Sequence, residues 1–196
     1  MRIVISEFIS LDGVVQAPGG RKEDTDGGFE HGGWSMRFFD PDVMGSSVDE
    51  VAKRTDALLY GRRTYQVMAG AWPGRAGDPF ADWMNTVEKH VVSNTLSEAD
   101  ANWGPTSLIR GTDLTTAVTA LRERQGRDVN VMGSAQLVRA LFKADVVDEL
   151  NLMIEPIVLG GGKSIFPTDG TARPFELVSA TTAKTGVQVC RYQRAR

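Results

Sequence analysis

The chain contains few of the residues that support metal, disulfide or nucleic-acid chemistry. Cys190 is the only cysteine among 196 residues, so one chain can form neither an internal disulfide nor a thiolate metal cluster. His31 and His90 are its only histidines, and we therefore expect no metal site. The 22 basic and 25 acidic residues give a net charge of -3, and no basic tract stands out, so we expect no nucleic-acid partner.

Long apolar runs are also missing. The N-terminal apolar stretch is broken by Ser6 and Glu7 and is followed by no small-residue cleavage site, which argues against a signal peptide. No run approaches the roughly 20 apolar residues of a membrane span. We therefore expect no membrane segment and a cytoplasmic location. The apolar fraction of 41% and the chain length fit a single domain over residues 1–196.

Hydrophobic periodicity predicts alternating strands and helices. Strands are expected at about 2–9, 57–60, 88–93, 106–110, 128–132, 148–155, 175–182 and 186–193, and helices at about 40–54, 63–68, 113–126 and 134–142. Residues 72–79 are expected to form a loop. The alternation predicts an α/β fold whose central sheet is mixed, mostly parallel and flanked by helices. The last two strands are expected to form an antiparallel hairpin at its edge.

The stretch Val158–Ser164, VLGGGKS, has the ending of a phosphate-binding P-loop. That motif requires a glycine five positions before the glycine of GK[ST], and Ile157 stands there. A helix must also follow directly, and Pro167, Gly170 and Pro174 make one improbable. The sequence therefore predicts no nucleotide hydrolysis at this loop.

Two other turns, each between a strand and a helix, suit a phosphate better. In Tyr60–Tyr65, a buried strand ends at a glycine, and two arginines and a hydroxyl follow where helix N–H groups are free. In Val131–Leu137, Gly133 permits close backbone approach and Ser134 is expected to cap the helix. Each turn also has a simpler interpretation. Arg62 and Arg63 could belong to a solvated helix start, and the second turn could be an ordinary tight turn.

Considered together, the turns indicate a binding site. Val92–Thr95 forms a third polar turn, and ligands of open α/β sheets lie beyond the carboxyl ends of parallel strands. We expect NADPH there, with the arginine pair at its 2′-phosphate and Gly133 and Ser134 at its pyrophosphate. Residues 17–35 carry six glycines and few apolar side chains, which is typical of a lid. Trp34 in this segment could stack on a ligand or anchor its own loop.

The sequence resembles the dihydrofolate reductase-like superfamily and, within it, the C-terminal reductase domain of riboflavin biosynthesis. The matching segments are SLDG at 10–13, LYGRRTY at 59–65, VS at 92–93, VMGS at 131–134 and EPIVLGGG at 155–162. They occur in the order that the family shows and extend over nearly the whole chain. The resemblance implies a dihydrofolate reductase-like fold, an NADPH-dependent reductase and a homodimer.

The resemblance also implies which residues form the site. The cofactor would be bound by Gly61, Arg62, Arg63, Thr64, Ser93, Asn94, Gly133, Ser134, Ala135 and Gln136. Leu11, Gly13 and Trp34 would border the substrate. We expect a bound water, or an acid such as Asp12 or Glu7, to supply the proton. Glu7 could instead be a solvent-facing strand residue. The early-helix carboxylate of dihydrofolate reductases has no clear counterpart, because Gly45 or Ser46 occupies its place.

The function expected from these residues is hydride transfer from NADPH to a C=N or C=O carbon of a small heterocycle, such as a ribosylaminopyrimidine. Two alternatives stay open. One is a dihydrofolate or pterin reductase, and the other is a non-catalytic NADP-binding module. No deaminase domain with zinc ligands precedes the reductase-like part, so a complete bifunctional riboflavin enzyme is not expected.

Overall fold

The computed structural model describes residues 1–75 and 77–195. Its strands are β1 (Arg2–Ser10), β2 (Thr55–Gly61), β3 (Glu88–Val92), β4 (Thr106–Ile109), β5 (Asp128–Met132), β6 (Glu149–Glu155), β7 (Phe175–Thr182) and β8 (Gln188–Arg194). Its helices are α1 (Ser46–Arg54), α2 (Arg62–Ala71), α3 (Pro79–Thr86), α4 (Leu114–Glu123) and α5 (Ala135–Lys143). No helix among these residues is long and apolar enough to cross a lipid bilayer.

All eight strands form one sheet in the order β4-β3-β2-β5-β1-β6-β8-β7. The first six pair in parallel, and β8 and β7 add an antiparallel edge to β6. This confirms the predicted α/β fold with its C-terminal hairpin. Because β2, β5, β1 and β6 are parallel neighbours, their carboxyl ends lie side by side at one edge of the sheet.

Helices cover both faces of the sheet, as alternating strands and helices require. One face buries Ile3, Ile5 and Val131 against Val118 of α4 and Leu141 of α5. This core is the larger of the two main clusters and also buries Leu137, Val138 and Phe142 of α5.

The opposite face carries two smaller clusters. Leu58 and Tyr60 of β2 pack against Tyr65 of α2 and Met84 of α3. Further along the same face, a single π-type turn at Pro41–Gly45 precedes α1, and its Met44 packs against Met153 of β6. The helix expected from residue 40 to about 54 is confirmed: Asp40 caps its start by accepting the N–H groups of Asp42 and Val43, and its first turn is of the π type.

Helix α3 was absent from the sequence prediction, although its start carries clear signals. Asp78 caps it, because its carboxylate accepts hydrogen bonds from the N–H groups of Phe80 (2.9 Å) and Ala81 (3.4 Å). Pro79 occupies the first turn, where a missing N–H is harmless. Helix α4 is shorter than the predicted range of about 113–126. It ends at Glu123, and Asp113 before its first residue makes no side-chain capping bond.

Candidate functional site

The two predicted phosphate-binding turns are joined directly. β2 and β5 are neighbours in the sheet, so the turns that follow them meet. The Gly61 N–H donates to Ser134 Oγ at 2.9 Å, and the Ser134 N–H donates to Thr64 Oγ1 at 3.0 Å. These two bonds make a single unit from the starts of α2 and α5. The first N–H groups of a helix have no partner within it, and here two such helix starts lie together.

The role predicted for Ser134 as a helix cap is wrong. Its side chain bonds Gly61 instead of its own helix, and its φ of 60° places it in the left-handed region. That conformation is uncommon for a residue with a side chain and marks strain that the surroundings must hold. Gly133 has a φ of +65°, and a Cβ there would lie 3.0 Å from Thr64 Cγ2. The turn therefore needs glycine at 133 for close approach to α2.

Glu7 is buried directly behind this turn. Its Oε2 accepts the Gly133 N–H at 3.0 Å, while Oε1 has no protein partner. Burial raises the pKa of Glu7 well above its ordinary value. The alternative of a solvent-facing strand residue is therefore wrong. The structure gives Glu7 a structural contact to the turn and leaves its catalytic role a prediction.

The third turn uses its polar side chains within the protein. Ser93 Oγ accepts the N–H groups of Thr95 (3.1 Å) and Leu96 (2.8 Å). Asn94 Oδ1 accepts the Gly111 N–H at 2.8 Å. These bonds shape the ends of β3 and β4 on the same sheet edge as the joined turns. Contact of Ser93 and Asn94 with a cofactor remains a prediction.

The remaining predicted cofactor residues lie around the joined turns. Arg62 donates to Gln66 at 3.1 Å on the surface of α2, and Arg63 forms an ion pair with Asp26. Ala135 and Gln136 are the first two residues of α5, the former buried and the latter exposed. The structure thus brings the predicted phosphate-binding residues of both helices to one place.

Asp12 anchors the VLGGGKS loop. Its carboxylate accepts hydrogen bonds from Ser10 Oγ (2.6 Å) and from the N–H groups of Leu159 (3.1 Å) and Gly160 (2.8 Å). The Ser10 bond is the main cause that lowers the pKa of Asp12. A carboxylate held ionised in this way is better suited to fixing a loop than to donating a proton. Its predicted catalytic role is not supported by this geometry.

The predicted substrate residues lie at the same end of the molecule but differ in exposure. Leu11 is exposed, and Gly13 adopts a φ of +81° in the turn after β1. Trp34 is buried, and its Nε1–H donates to the carbonyl oxygen of Gln16 at 2.8 Å. Its ring packs in a small cluster with Phe29. That placement favours the loop-anchor interpretation of Trp34 over stacking on a ligand.

Glu155, which the sequence analysis did not select, is a second buried acid in addition to Glu7. It lies at the carboxyl end of β6, on the same sheet edge as the joined turns. It is fully buried, and its Oε1 accepts the Ser35 hydroxyl at 2.5 Å. Its other oxygen has no partner in the protein. Burial raises the pKa of Glu155 to about 7. The available signal in the sequence was a glutamate at the end of a central strand. The regular alternation of side chains along β6 made Glu155 look like an ordinary strand residue.

The central strands are less completely covered on the sheet face that carries Met153. No residue of α1 is buried, although an amphipathic helix over a sheet normally buries one side. Ser6, Met132 and Asn151 belong to central strands, yet they are only half-buried on this face. On the other face, the same strands carry fully buried residues such as Ile5. The half-buried positions lie next to the joined turns, because Met132 directly precedes Gly133.

Polar side chains of three neighbouring strands lie side by side on this face. The Ser6 hydroxyl donates to Asn130 Oδ1 at 2.8 Å, and Asn151 Nδ2 donates to Ser6 Oγ at 3.3 Å. Asn130 is fully buried, and its Nδ2 has no protein partner. Buried polar groups in sheets usually pair completely, so a row with an unused donor is typical of a binding surface more than of a core.

Comparison with known proteins gives one family and several structural relatives. The family model described as RibD C-terminal domain matches residues 2–189. The protein YyaP of Bacillus subtilis strain 168 is 26% identical over 191 residues, which cover 95% of this chain and 91% of YyaP.

Two solved structures share the fold. One is a diaminohydroxyphosphoribosylaminopyrimidine deaminase/5-amino-6-(5-phosphoribosylamino)uracil reductase of Thermotoga maritima, with 12% identity and a TM-score of 0.65. It covers 99% of this chain, which spans 56% of that protein. The other is dihydrofolate reductase of Enterococcus faecalis in complex with NADP(H) and RAB-propyl, with 13% identity and a TM-score of 0.61. The match covers 100% of this chain and 97% of that reductase.

Proposed function

Because the chain belongs to the RibD C-terminal domain family, we propose that it is an NADPH-dependent reductase acting on a small heterocycle of the ribosylaminopyrimidine type. The observation that carries the proposal is the hydrogen-bonded junction of two helix starts at the carboxyl ends of β2 and β5. The N–H groups of Gly61, Gly133 and Ser134 are bonded within the protein. The ligand would therefore be held by the N–H groups that follow them in the first turns of α2 and α5, which have no partner within their own helices. The fold shared with a reductase and with a protein that binds NADP(H) supports the same assignment.

The residues present fit a dinucleotide phosphate. Gly133 lets the α5 turn approach Thr64 of α2 closely, and Arg62 and Arg63 are the first two residues of α2 beside it. In this proposal the arginines bind the 2′-phosphate, and the Gly133–Gln136 turn holds the pyrophosphate. Arginine forms paired, charge-assisted bonds with phosphate, which is why it suits discrimination between NADPH and NADH.

NADPH supplies a hydride when bound, and the protein must supply a proton to the reduced C=N or C=O group. Asp12 is held ionised by its hydrogen bonds, and Glu7 lies behind the turn on the face that α5 covers. Glu155 lies on the same strand face as the half-buried Asn151, because side chains alternate along a strand. We therefore assign proton donation to Glu155, whose unpartnered Oε2 can carry the proton near neutral pH. Solvent restores that proton after each turnover.

Calorimetry and absorbance test this function. NADPH should bind the full chain, and Arg62→Ala combined with Arg63→Ala should weaken NADPH far more than NADH. NADPH oxidation is then followed with dihydrofolate and with 5-amino-6-(5-phosphoribosylamino)uracil. Turnover of the second compound supports the proposal, whereas turnover of dihydrofolate alone favours a pterin reductase. Binding without turnover of either favours a non-catalytic NADP-binding module. The reductase proposal fails if millimolar NADPH produces no heat.

We also propose that two copies associate through the β7–β8 edge. Leu177 and Val178 of β7 are 57% and 44% exposed, and every residue of that strand after Phe175 is exposed. A groove of about 580 Å³ reaches β7 at Phe175 and is lined by Leu152 of β6, by Tyr192 of β8 and by the turn after β1 at Leu11–Gly13. An exposed, apolar edge strand invites pairing with another chain. A second copy would cover both the strand and the groove.

A further inference from the structure

One carboxylate oxygen of the lid lies between two cations from different parts of the chain. Asp26 Oδ2 contacts Arg63 of α2, and the same oxygen lies 3.0 Å from Lys163 Nζ. Lys163 is the lysine of the VLGGGKS loop and also contacts Asp24 at 2.5 Å. Both cations lower the pKa of Asp26, the Arg63 hydrogen bond most of all. The side chains of Arg63 and Lys163 thus converge on one carboxylate oxygen of Asp26.

The backbone holds this arrangement from three directions. Arg63 begins α2, whose start is bonded to the α5 turn through Thr64. The Lys163 carbonyl oxygen accepts the Val15 N–H at 3.0 Å, which fixes the loop to the segment after β1. Gln16 Nε2 donates to the carbonyl oxygens of Asp24 (3.1 Å) and Asp26 (3.0 Å), which positions the lid. The cations therefore converge for structural reasons that do not depend on the Asp26 carboxylate alone.

The Asp26 contact is easily exchanged. The Asp26 and Arg63 side chains are 46% and 57% exposed, and ion pairs so accessible to water are weak and screened by salt. Gly27 and Gly28, at φ values of +69° and +76°, follow Asp26 and meet no atom within 4 Å of an added Cβ. The space beside these glycines is open, so the Asp26 side chain can turn away while its backbone stays bonded to Gln16. A phosphate carries more charge and more acceptor oxygens than a carboxylate and would compete well for the same cations.

We propose that Arg63 and Lys163 form an anion site for a phosphate group of the dinucleotide, and that Asp26 occupies this site until the phosphate displaces it. The proposal rests on the proposed function and adds two residues to it. Lys163 becomes a cofactor-binding residue, and Asp26 becomes a residue that sets affinity by competition. Because Asp26 belongs to the lid, cofactor binding would release one of the contacts that hold the lid.

Calorimetry of the full chain at low ionic strength tests the competition. Asp26→Asn removes the internal anion and should tighten NADPH by about threefold or more, since an exposed ion pair no longer opposes binding. Lys163→Gln should weaken NADPH by a similar factor. Asp56→Asn is the matched control, because Asp56 pairs with an exposed arginine, Arg127, outside this cluster. It removes the same charge and should leave NADPH affinity unchanged.

NADH and 2′,5′-ADP identify the phosphate involved. A gain in Asp26→Asn for NADPH and 2′,5′-ADP but not NADH places the 2′-phosphate at the site. An equal gain for NADPH and NADH places the pyrophosphate there. Both patterns support the anion site. If wild type binds NADPH but Asp26→Asn and the control behave alike, the inference is wrong while the proposed function stands. If wild type binds no dinucleotide, the proposed function fails first.

Discussion

Three carboxyl groups near the sheet edge illustrate how the surroundings of an acidic side chain decide whether it holds a proton. Asp12 accepts three hydrogen bonds and has a lowered pKa, whereas Glu7 and Glu155 are buried, each with one unpartnered oxygen, and have raised pKa values. Ionised carboxylates with N–H partners suit anchoring, and protonated ones suit proton donation. The sequence supplied the acids Asp12 and Glu7 as candidates but not these differences, because neighbours distant in sequence create them.

The raised pKa of Glu155 predicts a pH-dependent stability. The folded state holds the proton up to a pH of about 7, whereas the unfolded glutamate releases it near its ordinary value of 4.5. The folded state therefore binds more protons between these values, and the Glu155 contribution to stability is lost as pH rises from 4.5 through 7. Glu155→Gln keeps an acceptor for Ser35 but cannot titrate.

Urea unfolding of both proteins between pH 4.5 and 8 measures this effect. The stability of wild type relative to Glu155→Gln should fall up to about pH 7 and then level. Parallel curves for the two proteins would show that Glu155 titrates normally. With a substrate that turns over, the same variant should slow hydride transfer by about 100-fold or more if it donates the proton.

At the scale of elements, the site depends on how closely two helix starts approach each other. Parallel strands with helical connections bring β2 and β5 together, and the turns after them then bond through Gly61, Thr64 and Ser134. The sequence predicted both turns and the edge where they lie. It could not predict that Ser134 would bond a turn about 70 residues away instead of capping its own helix, because that choice depends on strand order.

Gly133→Ala tests the close approach. Its Cβ would lie 3.0 Å from Thr64 Cγ2, and the residue would keep a left-handed φ of +65°. We expect the free energy of unfolding to drop by about 1–2 kcal/mol from the backbone strain. NADPH affinity should fall more than about tenfold, because the two helix starts move apart.

Gly170→Ala is the control for Gly133→Ala. Gly170 has a φ of +73° and meets nothing within 4 Å of an added Cβ. It carries the same kind of strain without the contact, so it should lower stability and leave NADPH affinity intact. Equal affinities for both variants in calorimetry would contradict a role for the close approach.

Lys89 joins β3 to the end of α3. It is fully buried, donates to the Val87 carbonyl oxygen at 2.8 Å and lies 4.5 Å above the Trp103 ring. Burial lowers its pKa to about 8, below the ordinary value of 10.5. Between these values the unfolded state binds more protons, so the contribution of Lys89 to stability rises as pH rises from 8 towards 10.5.

Thermal unfolding of wild type and Lys89→Met between pH 7.5 and 10 tests this prediction. Wild type should gain stability relative to Lys89→Met over that range, because methionine fills a similar volume and has no proton to lose. If the difference in stability between wild type and Lys89→Met stayed constant with pH, the pKa of Lys89 would not be lowered in the folded state.

At the scale of the whole molecule, the uncovered β7–β8 edge predicts a dimer. Leu177→Asp places a charge on the exposed apolar strand and should shift sedimentation equilibrium from dimer to monomer. Thr116→Asp on the exposed side of α4 adds the same charge elsewhere and should remain dimeric. A wild-type protein that sediments as a monomer at all concentrations would exclude this arrangement.

The amino-acid sequence alone determined the α/β class, the mostly parallel sheet with its terminal hairpin and the turns that follow the strands. These features depend on local periodicity and on glycine, and both can be read along the chain. Helix α3 was missed although Asp78 and Pro79 mark its start, because loop residues around it dominated the pattern.

Tertiary structure alone decided which acids hold protons, where Asp26 meets Lys163, and which face of the sheet is covered less completely. Burial and charge pairing depend on residues far apart in the chain, so neither follows from a local pattern.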